Sequence, residues 1–116
     1  MMARSANQTL MEWLQGQGYS ACCYVPSERP DRFVTVERTG GGAGDLIDHP
    51  TVTLQFWALT HAQAEEDALA VRDLILRGAR PEGFGAISIN AGPYEFDDPD
   101  SRQKRFQMVL DCTMNI

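Results

Sequence analysis

Apolar and polar residues alternate along Phe33-Val34-Thr35-Val36-Glu37-Arg38 and again along Thr51-Val52-Thr53-Leu54-Gln55-Phe56-Trp57-Ala58. Alternation of period two marks a strand with one buried face. Between the two runs, Gly40-Gly41-Gly42-Ala43-Gly44-Asp45 breaks the pattern, which predicts a long hairpin with a flexible glycine-rich tip. The period then lengthens. Ala64, Ala68, Val71 and Ile75 recur at helical spacing with Leu74 beside them, while Glu65, Glu66, Arg72, Asp73 and Arg77 fall mostly elsewhere, so one face packs and the other is wet. Thr60 with Gln63 three residues on is a capping pair, and Gly78 suits the left-handed position that ends a helix.

The flanks complete the pattern. Ser5 followed by Gln8 repeats the capping pair, and Leu10, Trp13 and Leu14 share a helical face before Gly16 and Gly18, predicting a short amphipathic helix. Tyr19 to Val25 is apolar and β-prone, and Pro26-Ser27-Glu28-Arg29-Pro30-Asp31 turns the chain into the next strand, an irregular hairpin connection stiffened by two prolines. Ala86 to Ala91 alternates and Gly92-Pro93 closes it. From Arg105 to Met114 the alternation is strictest, with Phe106, Met108, Leu110, Cys112 and Met114 on one face. The order α-β-β-β-α-β-β implies an α+β fold, a two-layer sandwich of a mostly antiparallel sheet with two helices on one face.

Size and charge narrow the function. A chain of 116 residues holds one core, so residues 1–116 are read as a single domain. No apolar run approaches the ~18 residues of a membrane span, and Met1-Met2-Ala3-Arg4-Ser5 has no apolar segment behind it, so a soluble protein kept in a cytoplasm is expected, with no membrane partner. The net charge of −6 with one lysine, Lys104, argues against a grip on nucleic acid, which needs clustered cations. Three cysteines give an odd count, and neighbouring Cys22 and Cys23 point to opposite sides of a strand, so a disulfide framework is not expected. Cys112 reads as a small buried hydrophobe.

The residues capable of chemistry are scattered. Gly40-Gly41-Gly42-Ala43-Gly44 is flanked by strands and followed by no lysine, unlike a phosphate loop, so an interaction tip is the better reading. His49 and His61 stand twelve residues apart in no ligand spacing. Glu95-Phe96-Asp97-Asp98-Pro99-Asp100 lacks the register of a calcium loop. It reads as a solvated turn, as a subunit contact facing a neighbour's arginines or, less so, as a divalent-ion bridge between subunits. No catalytic residue, cofactor or metal site is expected.

Arg38-Thr39-Gly40-Gly41-Gly42, then Asp48-His49-Pro50-Thr51-Val52-Thr53-Leu54-Gln55-Phe56-Trp57-Ala58, the helix running through Ala70-Val71-Arg72-Asp73-Leu74, and the late Gly92-Pro93-Tyr94-Glu95 with Arg105-Phe106-Gln107 together resemble the tail terminator, or tail completion, proteins of long-tailed bacteriophages and prophages. The resemblance spans nearly the whole chain and rests on element order and a loose consensus. It implies a structural virion protein of the tail and neck, not an enzyme, assembled in the bacterial host cytoplasm. Six subunits would form a homohexameric ring that caps the tail tube protein, ends its polymerisation and presents a joining surface to the head-completion or connector protein. DNA would meet it only in passage through the lumen. On this reading Gly40, Gly41, Gly42, Gly44, Asp45, Leu46 and Ile47 are expected to meet the tube or an adjacent subunit. Glu95, Asp97, Asp98, Asp100 and Arg102 are expected at a subunit boundary. Leu46 and Ile47 could equally pack back on their own subunit. Another head-tail connector protein, or a small-molecule-binding α+β dimer with a pocket between sheet and helices, are the alternatives.

Overall fold

A computed structural model describes residues 5–44 and 46–115. The elements are α1 (Ala6–Gly16), β1 (Ala21–Cys22), β2 (Phe33–Ala43), β3 (Ile47–Ala58), α2 (His61–Leu76), β4 (Phe84–Glu95) and β5 (Lys104–Asn115). The strands form one sheet in the order β1-β2-β3-β5-β4. Every pair is antiparallel except β1 with β2. This is the α+β sandwich that the periodicities predict, with both helices on one face.

Both helices begin and end by local chemistry. Ser5 Oγ accepts from the Gln8 amide and Thr60 Oγ1 from the Gln63 amide, each at 3.2 Å, satisfying a donor that the first turn leaves orphaned. At the other ends Gly18 and Gly78 take φ of 98° and 88°. The next amides, of Tyr19 and Ala79, then reach back to Leu14 and Leu74, the bonding of a Schellman stop.

The core lies between helices and sheet. Leu10 and Leu14 of α1, and Ala64, Ala68, Val71 and Ile75 of α2, meet Val34, Val36, Val52, Leu54, Phe56 and Ala58. From β5 come Phe106, Met108, Leu110, Cys112 and Met114, all 5% exposed or less. Burying each such large side chain contributes about 1.5–3 kcal/mol, so this one stripe anchors the centre of the sheet. Ala64 and Ala68 of α2 are fully buried; they let the helix axis approach the strands closely.

Three expectations are corrected. Tyr19 to Val25 yields only the two-residue β1, which lies parallel to β2, and Tyr24 is 83% exposed. The following segment makes no hairpin because Pro26 and Pro30 lie within it, and a proline offers no amide to a ladder. It crosses instead to the helix-free side of the sheet, where the Pro30 carbonyl accepts from Gln103 Nε2 at 2.8 Å. Gly40 to Ala43 are not a loose tip but strand residues of β2, paired with Thr51 to Asp48 of β3. Gly92-Pro93 does not close β4, which continues to Glu95 with register shifts that absorb the irregularity.

Candidate functional site

The two groups of residues singled out above lie at opposite ends of the sheet. Phe33 pairs with Trp57 and Trp57 with Arg105 at one end, whereas Ala43 pairs with Asp48 and Ile47 with Asn115 at the other. The hairpin tip and the acidic turn therefore mark the two poles of a domain 43 Å long.

At the tip, Arg38 clamps Asp48 through two bonds of 2.6 and 2.8 Å and donates to the Gly40 carbonyl at 3.1 Å. The guanidinium holds the Asp48 carboxyl below its ordinary range. Gly41 has φ of 89°, and a Cβ there would stand 1.9 Å from the His49 carbonyl oxygen, so glycine is required by both conformation and space. The turn closes through the Gly44 amide on the Ile47 carbonyl at 2.7 Å. Leu46 is 78% and Ile47 42% exposed, so Leu46 does not pack back on its own subunit. Gly42 is exposed, and Asp45 lies outside the described residues.

At the opposite pole the acidic turn is largely bound to its own chain. Asp97 accepts from the Arg105 amide at 3.0 Å and lies 2.8 Å from His61 Nε2 at the start of α2. Asp98 Oδ1 accepts from the Asp100 amide at 3.0 Å. Glu95 ends β4, and Arg102 is exposed. Among the described residues no group of three or more His, Cys, Asp or Glu side chains is arranged to hold a metal ion.

The bond from the Arg105 amide, followed by the His61 contact, keeps the Asp97 carboxyl below its ordinary 3.8 despite partial desolvation. A carboxylate with a depressed native pKa contributes stability that is complete above the unfolded value and lost as pH falls through the native one. Asp97→Asn is expected to remove this acid-dependent part, narrowing the gap to wild type as pH drops below 3.8 in melting curves taken between neutral and strongly acid buffer. A gap constant across that range would show that the turn is not tied to α2 by charge.

Sequence periodicity gave no warning of the helix-free face. Near the turn it carries a second, small core: Trp57 stacks on Phe33 with centroids 5.5 Å apart and planes at 5°. Arg105 and Arg29 sit over the indole at 4.9 and 5.2 Å, a favourable cation–π geometry. Arg105 also covers Phe96, which meets Tyr94 edge-on. From the indole a hydrogen-bonded row crosses four strands. Trp57 Nε1 donates to Thr35 Oγ1 at 3.2 Å, Thr35 to Gln55 Oε1 at 3.4 Å, Gln55 Nε2 to Gln107 Oε1 at 2.9 Å and Gln107 Nε2 to Tyr94 Oη at 2.6 Å. Beyond it, Asp111 accepts from Thr51 and Asn90. The polar positions of β3 and β5 were visible in the alternation; their pairing into a row depends on register.

Several depressions open on the surface. One of about 440 Å³ lies at the turn pole between Arg29, Asp31, Leu59, Asp100, Ser101, Arg102 and Gln103. Burial pushes the Cys112 thiol up to about 12, with Asp111 adding to the effect, and Cys22, Cys23 and Cys112 are all free. Among the described residues no helix is long and apolar enough to cross a membrane. Neither a protein-family model nor a curated protein matches the chain.

Proposed function

We propose that this chain is a structural, non-enzymatic subunit of a virion neck, of the tail-terminator kind, acting as a homohexameric ring on the tail tube protein and offering the head-completion protein its joining surface. The observation that carries the assembly part is the polarity of the domain. An exposed aliphatic tip and an arginine- and acid-rich turn stand at opposite poles. A twofold dimer uses the same patch on both partners, whereas a ring joins two different patches.

The sheet edges support the same reading. β1 covers β2 only at Val34 and Thr35, and β4 lies at the other margin of the sheet, so both margins offer backbone to neighbours. The middle of the helix-free face presents hydroxyls, amides and the Asp111 carboxylate, a surface suited to letting DNA pass and not to holding it. The viral setting rests on the resemblance of the residues quoted above.

Light scattering over a concentration series, with and without Mg²⁺, is expected to give a discrete hexamer, and deletion of Gly41 to Ile47 a monomer that still folds. In the virus that encodes the protein, the deletion is expected to yield tails of uncontrolled length. A stable dimer at every concentration would overturn the ring. Tails of normal length made with the deleted protein would overturn the terminator role.

A further inference from the structure

We propose that Cys23 and Met11 form a site for a cuprous ion, held between the Cys23 thiolate and the Met11 thioether. Their sulfur atoms lie 3.6 Å apart, with the Cys23 thiol donating toward Met11 Sδ. Thiolate and thioether are soft donors, a pair that selects Cu(I) over the hard divalent ions. Two metal–sulfur bonds of about 2.3 Å each, the length found for thiolate on zinc, bridge that gap in a bent unit whose open side faces solvent. The ion takes the place of the thiol hydrogen. One S–H bond breaks and its proton leaves to solvent, copper–sulfur bonds form to both residues, and copper stays Cu(I) throughout.

The two donors are held together by contacts that owe nothing to an ion. Met11 stands on α1 one turn after Asn7, whose amide nitrogen lies 3.7 Å from the same Cys23 sulfur and so supports negative charge on it. The segment leading to Cys23 is fixed beside that helix: Gln15 Nε2 donates to the Ala21 carbonyl at 2.9 Å, and the Val34 amide donates to the Ser20 carbonyl at 2.9 Å. Met11 packs against the core, whereas Cys23 lines an open depression of about 350 Å³. A preformed donor pair thus has an entry path. The other thiols are engaged elsewhere. Cys22 Sγ lies 3.6 Å from the Val34 carbonyl, with its pKa raised by burial and then by Cys23, and Cys112 is 4% exposed on β5. The site is independent of the ring reading.

Copper transfer to the full chain, reduced and kept free of oxygen, tests the site. Cu(I) is supplied as its ferrozine complex, and loss of the chelator's visible colour reads the copper taken up. Wild type is expected to withdraw one cuprous ion per chain, with X-ray absorption placing two sulfur neighbours on it. Met11→Leu conserves volume and leaves every thiol in place; it is expected to weaken binding by at least the roughly 10–100-fold typical of losing a residue that merely supports a ligand. Cys23→Ser is expected to abolish transfer, while Cys22→Ser and Cys112→Ser keep the wild-type affinity. Melting curves check that each variant is folded. Wild type that takes no copper, a single sulfur neighbour on the bound ion, or a folded Met11→Leu protein with unchanged affinity overturns the site. Loss of binding in Cys22→Ser equal to that in Cys23→Ser assigns the ion to the two adjacent thiols and overturns the role of Met11.

Discussion

Replacing Trp57 by alanine is expected to lower stability by about 3–5 kcal/mol, the range for removing a buried aromatic. The reason is not the main core, from which Trp57 points away. The indole is 2% exposed because Phe33 stacks beneath it and Arg29 and Arg105 close over it. It also donates to Thr35, the start of the polar row. Its loss should therefore loosen the 23–32 and 96–103 segments together, since they are bound to each other there by Arg29 with Ser101 and Gln103 with Pro30. Trp57→Phe keeps an aromatic face for Phe33 and the arginines and is expected to lose less. Urea unfolding of the two variants reads the difference as a shift in midpoint. A loss below about 1 kcal/mol for the alanine variant, well short of the usual cavity cost, would mean that the second core is not closed in solution.

Gly41→Ala is expected to cost about 1–3 kcal/mol from its left-handed backbone alone. Relief of the Cβ clash with the His49 carbonyl requires Gly41 to Ala43 to part from Asp48 to Pro50. The hairpin below, where Phe33 to Arg38 face Trp57 to Val52, has its own pairing and should survive. Stability then falls modestly while assembly fails, because the tip no longer points where the clamp aims it. Gly42→Ala is the matched control: its added Cβ meets nothing within 4 Å and its φ is not positive. A Gly41→Ala protein that melts and assembles like wild type would contradict the described course of the hairpin.

What could be read before the structure was local in origin. Ser5 and Thr60 cap their helices through bonds three residues away, and the β5 stripe shows its buried face because every second side chain is large and apolar. Residues without a side-chain signature were misread. Gly40 to Ala43 and Gly92-Pro93 break any pattern of burial, yet the chain opposite each segment keeps it in the sheet. The opposite error fell on Tyr19 to Val25, whose composition favours a strand while the sheet edge accommodates two residues of it. That the tip and the acidic turn form opposite poles follows from strand order, and the row from Trp57 to Tyr94 from register; neither is encoded by period. The proposed neck role rests on the resemblance, and the structure contributes the opposition of tip and turn.

The last strand in sequence, β5, lies between β3 and β4. While residues 104–115 are still missing from a growing chain, β3 has an open inner edge, β4 has no partner, and the buried stripe of β5 is absent from the core. The domain therefore cannot close progressively from its N-terminus; it must wait for the central piece and then fold in one step, at a rate set by contacts far apart in the chain. A nascent domain consequently lacks its stable pair of poles until residues 104–115 have been made.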